Sequence, residues 1–184
     1  MERILSDGTR LVIRPIRPSD KAGLSAGLTS LSEVSRHRRF LSPKVKFTAA
    51  ELRYLTELDG HDHAALVAHL MDGTGVGVAR YVHLPGDPPT ADVAIVVADA
   101  MQSRGLGSLM ADELAVIAAQ NGIHRFSADI LSDNVPAQRL LARLSDRLRR
   151  SHDGAGQRPG LSRPSSLVRI RLAQAARSWS AICR

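Results

Sequence analysis

A chain of 184 residues, 43% hydrophobic and 23% charged, is long enough to bury a full core in one domain and belongs to the globular rather than the disordered class. Its single cysteine, Cys183, excludes an internal disulfide and a cysteine-based zinc cage; no apolar run approaches the roughly 20 residues that cross a bilayer, and MERILSDGTR does not read as a signal peptide, so the expected compartment is the cytoplasm and no membrane partner is expected. The net charge of +7 is confined to the tail: residues 148–184 hold eight Arg against one Asp, while residues 1–147 balance 17 basic with 17 acidic side chains, a pattern that suits a solvated tail better than a nucleic-acid surface.

Along the chain, Leu11 to Ile16 alternates as a first strand, with Gly8 in the turn before it and Pro15 marking an edge position or an early end. Ser19 offers an N-cap for a helix with Leu24, Leu28 and Leu31 on one side. Ser32 or Ser35 caps a second short helix carrying Arg36, Arg38, Arg39 and Phe40, whose arginines read as a solvated face, with contact to an acidic substrate as the minority reading. Thr48-Ala49-Ala50-Glu51 is a capping box that opens a third helix bearing Leu52, Leu55 and Leu58.

Strands are then expected at His63–Met71, Gly75–Val82 and Thr90–Val97, joined by glycine- and proline-rich turns suited to antiparallel neighbours; Gly73, Gly75 and Gly77 read as hairpin glycines. A helix over 104–121 ends at Asn121-Gly122, Phe126–Leu131 is a buried strand, and Asn134–Leu148 is a helix with Leu140, Leu141, Leu144 and Leu148 along one side. Beyond it, 151–166 reads as a loop, 167–172 as one strand and 173–182 as a short helix. The order is an α+β sandwich with a mixed, mostly antiparallel sheet, helices on both faces and an atypical C-terminal end, because the three-strand meander has no crossover helices. The domain is expected over 1–148, followed by a basic tail over 149–184.

The stretch Ile95–Met110, IVVADAMQSRGLGSLM, carries the chemistry. A buried-type strand meets Gln102-Ser103-Arg104-Gly105-Leu106-Gly107-Ser108 and then a helix, so free amides and the positive end of a helix dipole face one corner, a site for phosphate oxygens. Side chains at Gly105 and Gly107 would keep a diphosphate from the backbone. The Walker loop fails, because Ser108 stands where its lysine belongs; the dinucleotide fingerprint fails, because Met110 stands where its third glycine belongs.

What remains, Q-x-x-G-x-G between strand and helix, resembles the acetyl-CoA loop of the GNAT N-acetyltransferases. With DGTRLVIRPIRPSD, Asp62-His63, GVARYV at 77–82 and ADVAIVVAD at 91–99, residues 6–148 are similar to the acetyltransferase domain of bacterial protein-lysine acetyltransferases. The resemblance implies acetyl-CoA as acyl donor, its pyrophosphate on Gln102–Ser108 and its pantetheine arm along Ile95, Val96 and Val97, with Asn134 opening the next helix near it. Asp92 stands where the family carries a base glutamate, ten residues before the loop glutamine; it keeps the carboxylate and loses one methylene of reach. The tyrosine that many members place on the helix after Asn134 is replaced around Leu140 and Leu141, and Leu144-Ser145-Asp146 replaces the usual Leu-Gly-Phe turn.

The expected reaction is acetyl transfer to a primary amine, with protein lysine as leading acceptor. Asp92 supplies the base, a strand N–H, such as that of Val97, the oxyanion donor, and water the acid. Acetylation of a small-molecule amine and non-catalytic acyl-CoA binding stand as alternatives. His61, His63 and His69 do not make a metal site, since no cysteine or carboxylate completes one.

Overall fold

Five strands follow one another across the sheet in antiparallel pairs: β1 (Glu2–Ile4), β2 (Arg10–Pro15), β3 (His63–Leu70), β4 (Gly75–Leu84) and β5 (Thr90–Val97). β6 (Arg125–Ile130) and β7 (Val168–Leu172) extend it with parallel pairing. This computed structural model describes residues 1–42, 44–86, 89–153 and 168–172. Helices α1 (Lys21–Ser30), α2 (Glu33–Phe40) and α3 (Ala49–Thr56) precede β3, whereas α4 (Leu106–Gln120) and α5 (Val135–Asp153) make the two parallel crossovers. The expected mixed sheet with helices on both faces is what the chain forms.

Local signals place most elements. Ser32 caps α2 by accepting the Ser35 amide at 3.2 Å. Thr48 and Glu51 exchange both bonds of the capping box, at 3.2 and 2.7 Å, at the start of α3. Ser19 does not cap α1: a 3-10 turn over Pro18–Asp20 intervenes, and Asp20 instead holds Arg14 of β2 through two bonds of 2.7 and 2.8 Å. That pair fastens the helical layer to the sheet. Pro15 ends β2 opposite Leu66, as its missing N–H requires, but β2 is not an edge, since β1 lies beyond it.

One face of the sheet is dry. Leu106, Met110, Ala111, Leu114, Ala115 and Ala118 of α4 have no exposed surface, and Leu141, Leu144 and Leu148 of α5 are buried with them. Each buried Leu contributes about 2–3 kcal/mol of burial free energy. Gly77 lies inside β4, not in its turn, and a Cβ there would stand 2.7 Å from Met110 Sδ. It is therefore a close-approach glycine that lets α4 settle on the sheet, a correction to its hairpin reading.

Three further differences follow from the sequence's weakest signals. β1 was not expected, being three residues with Ile4 largely exposed. α5 runs past residue 148 to Asp153, so the basic stretch begins on that helix. The strand expected at 167–172 joins the sheet as β7, while the helix expected over 173–182 lies outside the described residues.

Candidate active site

β5 and β6 share only three rungs, Thr90 with Arg125, Ala91 with Phe126 and Asp92 with Ser127. After Asp92 they part: β5 continues to Val97 paired with β4 alone, and β6 pairs through Ile130 with β7 alone. The edge of Val93–Val97 that turns away from β4 has no strand partner among the described residues. A fork of this kind leaves main-chain donors and acceptors available to an extended ligand, as an unpaired sheet edge does. Ile95, Val96 and Val97 lie on that edge and are half-buried.

The loop between β5 and α4 lies at the fork's mouth. Ser103 at φ 60 and Gly105 at φ 88 are left-handed on either side of Arg104, a geometry that turns successive amides toward one side. Among the described residues, no backbone or side-chain acceptor takes the N–H of residues 103–108; the first bond of α4 is Leu109 N–H to Gly105 C=O at 3.0 Å. Gly105 is needed for its left-handed φ. A Cβ on Gly107 would face Leu140 and Val97 at 3.5 and 3.7 Å, ordinary contact, so protein packing does not demand glycine there.

The loop's side chains hold the loop in place. Arg104 bonds Asp7 Oδ2 at 2.5 Å and Thr9 Oγ1 at 2.6 Å in the β1–β2 turn, so only its amide is left to face a ligand. Asp7 is pulled down to about 2 by the Thr9 backbone N–H first, with the Thr9 hydroxyl and Arg104 behind it. Gln102 Nε2 reaches Ser35 Oγ at 3.1 Å, Val97 C=O at 3.2 Å and Asp99 Oδ1 at 3.2 Å. Asp99 also accepts from Ser32 N–H at 2.7 Å and Ser35 Oγ at 2.5 Å, bonds that hold its carboxyl below the usual range, Ser35 foremost. Leu106 faces the core, Ser108 is half-buried on the first turn of α4, and Asn134 caps α5 by accepting the Ala137 amide at 3.3 Å.

Asp92 sits on the opposite sheet face, at the last rung before the fork, accepting Ser127 Oγ–H at 3.1 Å. Two arginines stand near it. Arg80 of β4 pairs across with Ala94, which places it on Asp92's face, and is only 6% exposed. Its guanidinium bonds His63 Nε2 and lies 5.5 Å above the Tyr54 ring. Burial, then the Arg80 charge, pushes His63 down to about 4, so the imidazole is neutral at pH 7. Arg39 of α2 keeps some accessible area, but enough atoms crowd its guanidinium that desolvation lowers it to about 10, opposed by the Asp92 charge. It is thus an inward residue and not part of a solvated face.

Both arginines line a cavity of about 110 Å³ between α1, α2 and the sheet, whose other walls include Leu24, Leu28, Leu31, Val67 and Val96. The described chain thus offers a carboxylate, a fork and a row of unbonded amides around one strand.

The sequence description of the acetyltransferase (GNAT) domain matches residues 10–145. The chain belongs to the GNAT acetyltransferases. This GNAT chain is 35% identical over 138 residues to acetyltransferase Pat of Mycolicibacterium smegmatis, a match covering 74% of the chain and 41% of Pat. It therefore spans about two fifths of that relative's length. The GNAT domain of S. lividans PAT superimposes with a TM-score of 0.73 at 28% identity, covering 78% of this chain and 85% of that one. The acetyltransferase yncA of Salmonella typhimurium, whose structure contains acetyl-CoA, shares the fold at 22% identity and a TM-score of 0.61, over 73% and 78% of the two chains.

Sequence reasoning about the GNAT site missed Arg80, Ser127, Ser35 and Asp99. A signal existed for one: Ser35 lies four residues before Arg39 on α2, and so shares the face that α2 lays on β5. Ser127 and Arg80 become visible only once strand register is known.

Proposed function

We propose that this GNAT chain moves an acetyl group from acetyl-CoA to a primary amine by direct attack. The observation that carries the reading is the pairing of the open Val93–Val97 edge with the unbonded amides of residues 103–108. The amides and the α4 dipole suit a diphosphate, and the edge suits a chain of amides such as a pantetheine arm. A free amine near pKa ~10 is mostly protonated at neutral pH and must lose a proton before it attacks. Asp92, acting through water, takes that proton as the new C–N bond forms; the C–S bond then breaks, and the thiolate leaves and is protonated from solvent. A strand N–H in the fork steadies the oxyanion between these steps.

Protein lysine is supported as acceptor by the resemblance of residues 6–148 to the acetyltransferase domain of bacterial protein-lysine acetyltransferases, and a small amine by the partly open cavity between α1, α2 and the sheet. The test follows free thiol release from acetyl-CoA with a lysine peptide, small amines or no acceptor, alongside calorimetric binding of CoA. Acceptor-dependent thiol release is expected. Tight CoA binding with no turnover on any amine would replace the enzyme by an acyl-CoA-binding protein.

A further inference from the structure

A donor held along the open edge of β5 must send the carbon tail of its acyl group to one face of the sheet or the other. The α4 face has no room: Ile95 and Val97 pack there against a core in which Leu106, Met110 and Leu114 have no exposed surface. On the opposite face, Val96 of that same edge is a wall of the cavity of about 110 Å³. The cavity floor holds a row of three valines at paired positions, Val67 of β3 opposite Val78 of β4, and Val78 opposite Val96 of β5. Leu24, Leu28 and Leu31 on the α1 side, with Phe40 and Phe47, form the facing walls. Three charged residues of the lining have protein partners: Asp20 bonds Arg14, Arg80 bonds His63, and Arg39 feels the Asp92 charge. What fits beside Val96 is therefore decided by aliphatic surface.

The helix over this floor carries two glycines that packing does not require. Gly23 and Gly27, one turn apart in α1, both line the cavity, and a Cβ at either would meet nothing within 4 Å. Glycine inside a helix is less favourable than alanine, so space is kept open here against the helix's own propensity. An acetyl group, with one methyl beyond its carbonyl, leaves most of that space empty. A cavity of roughly 150 Å³ takes up a benzene ring, so the volume beside Val96 suits a chain of about three or four carbons.

We infer that this cavity is an acyl-chain pocket, and that the protein takes butyryl-CoA as donor in preference to acetyl-CoA. This rests on the transferase reading and deepens its donor. Val96 and Asp92 lie four residues apart on one face of β5, roughly 13 Å. The thioester sits between them, its alkyl carbons over the valine row, and the amine approaches from the Asp92 end. The bonds are those of acetyl transfer: N–C forms, C–S breaks, the amine proton passes through water to Asp92, and the thiolate leaves.

The test measures binding of acetyl-, butyryl- and succinyl-CoA to the full chain by calorimetry, so the pocket is judged even without turnover. Each buried methylene strengthens binding about four-fold, and butyryl-CoA, with two more than acetyl-CoA, is expected to bind at least about ten-fold more tightly. Gly27→Leu and Val78→Phe fill the space from α1 and from the floor, the first with a gain in helix propensity. Each should remove the butyryl advantage while acetyl-CoA affinity stays within two-fold. Equal affinity for the two donors, or an advantage kept in both variants, overturns the inference and leaves the transferase reading standing. Tighter binding of succinyl-CoA than of butyryl-CoA also overturns it, since polar groups and not the valine row would then choose the chain. If neither acetyl- nor butyryl-CoA binds, the transferase reading falls and the inference with it.

Discussion

The two faces of the sheet are drawn from alternate residues of the same strands, yet one is sealed and the other hollow. Gly77, Ala79 and Tyr81 of β4 turn toward α4 and its unexposed Leu106, Met110 and Leu114; Val78 and Arg80, one position away, turn toward a cavity. Small residues on the first face let a helix come close, so packing is complete and nothing is left for a ligand. The second face keeps Asp92, His63 and two arginines where a tighter helical layer would have excluded them. Stability and chemistry are thereby separated by the period-2 alternation of a strand.

Substitutions on the two faces should accordingly fail in different ways. The largest effect is expected at Asp92: Asp92→Asn should lower kcat roughly 10²- to 10⁴-fold, with acetyl-CoA affinity unchanged in calorimetry. A variant that turns over normally would remove Asp92 from its role. Leu114→Ala, on the sealed face, should cost about 2–5 kcal/mol in urea unfolding, whereas Val78→Ala beside the cavity should cost roughly 1 kcal/mol or less. Similar losses at both would contradict the contrast between the faces.

A pH effect separates them further. His63 is neutral when folded, its pKa pushed down to about 4 by burial and Arg80, while an unfolded chain holds it near the ordinary 6.5. Between these values the unfolded chain binds the extra proton, so stability is full above about 6.5 and falls as pH drops toward 4. Melting temperatures at pH 7 and 5 should show the loss, and His63→Gln should shrink it; an unchanged slope would assign the titration to another group, such as His69. The smallest effect is expected from Arg104→Ala, which frees the loop from Asp7 and Thr9. An exposed pair contributes little to stability, so unfolding should barely move and the change should appear as weaker acetyl-CoA binding.

Those elements were legible in the sequence whose causes are local. The capping box at Thr48, the cap at Ser32 and the glycine corner at residues 105–107 each depend on a few neighbouring residues, and each is where the pattern put it. The left-handed Gly105 and the amides of residues 103–108 are the features on which the proposed phosphate contact rests. What escaped depends on how distant segments dock. Arg39 looked like one of three solvated arginines, and only the seating of α2 against β5 turns it toward Asp92. Gly77 looked like a turn residue because the helix that needs its missing side chain is some thirty positions away.

The short seam between β5 and β6 has a consequence for the protein's lifetime. With three rungs holding the two strands together, the sheet is an unfinished weave, and a donor lying in the gap would complete it. Ligand that binds only the folded chain adds roughly 2.7 kcal/mol when present at a hundred times its Kd. Well fed with acyl donor, the protein would resist heat and proteolysis better than when starved of it.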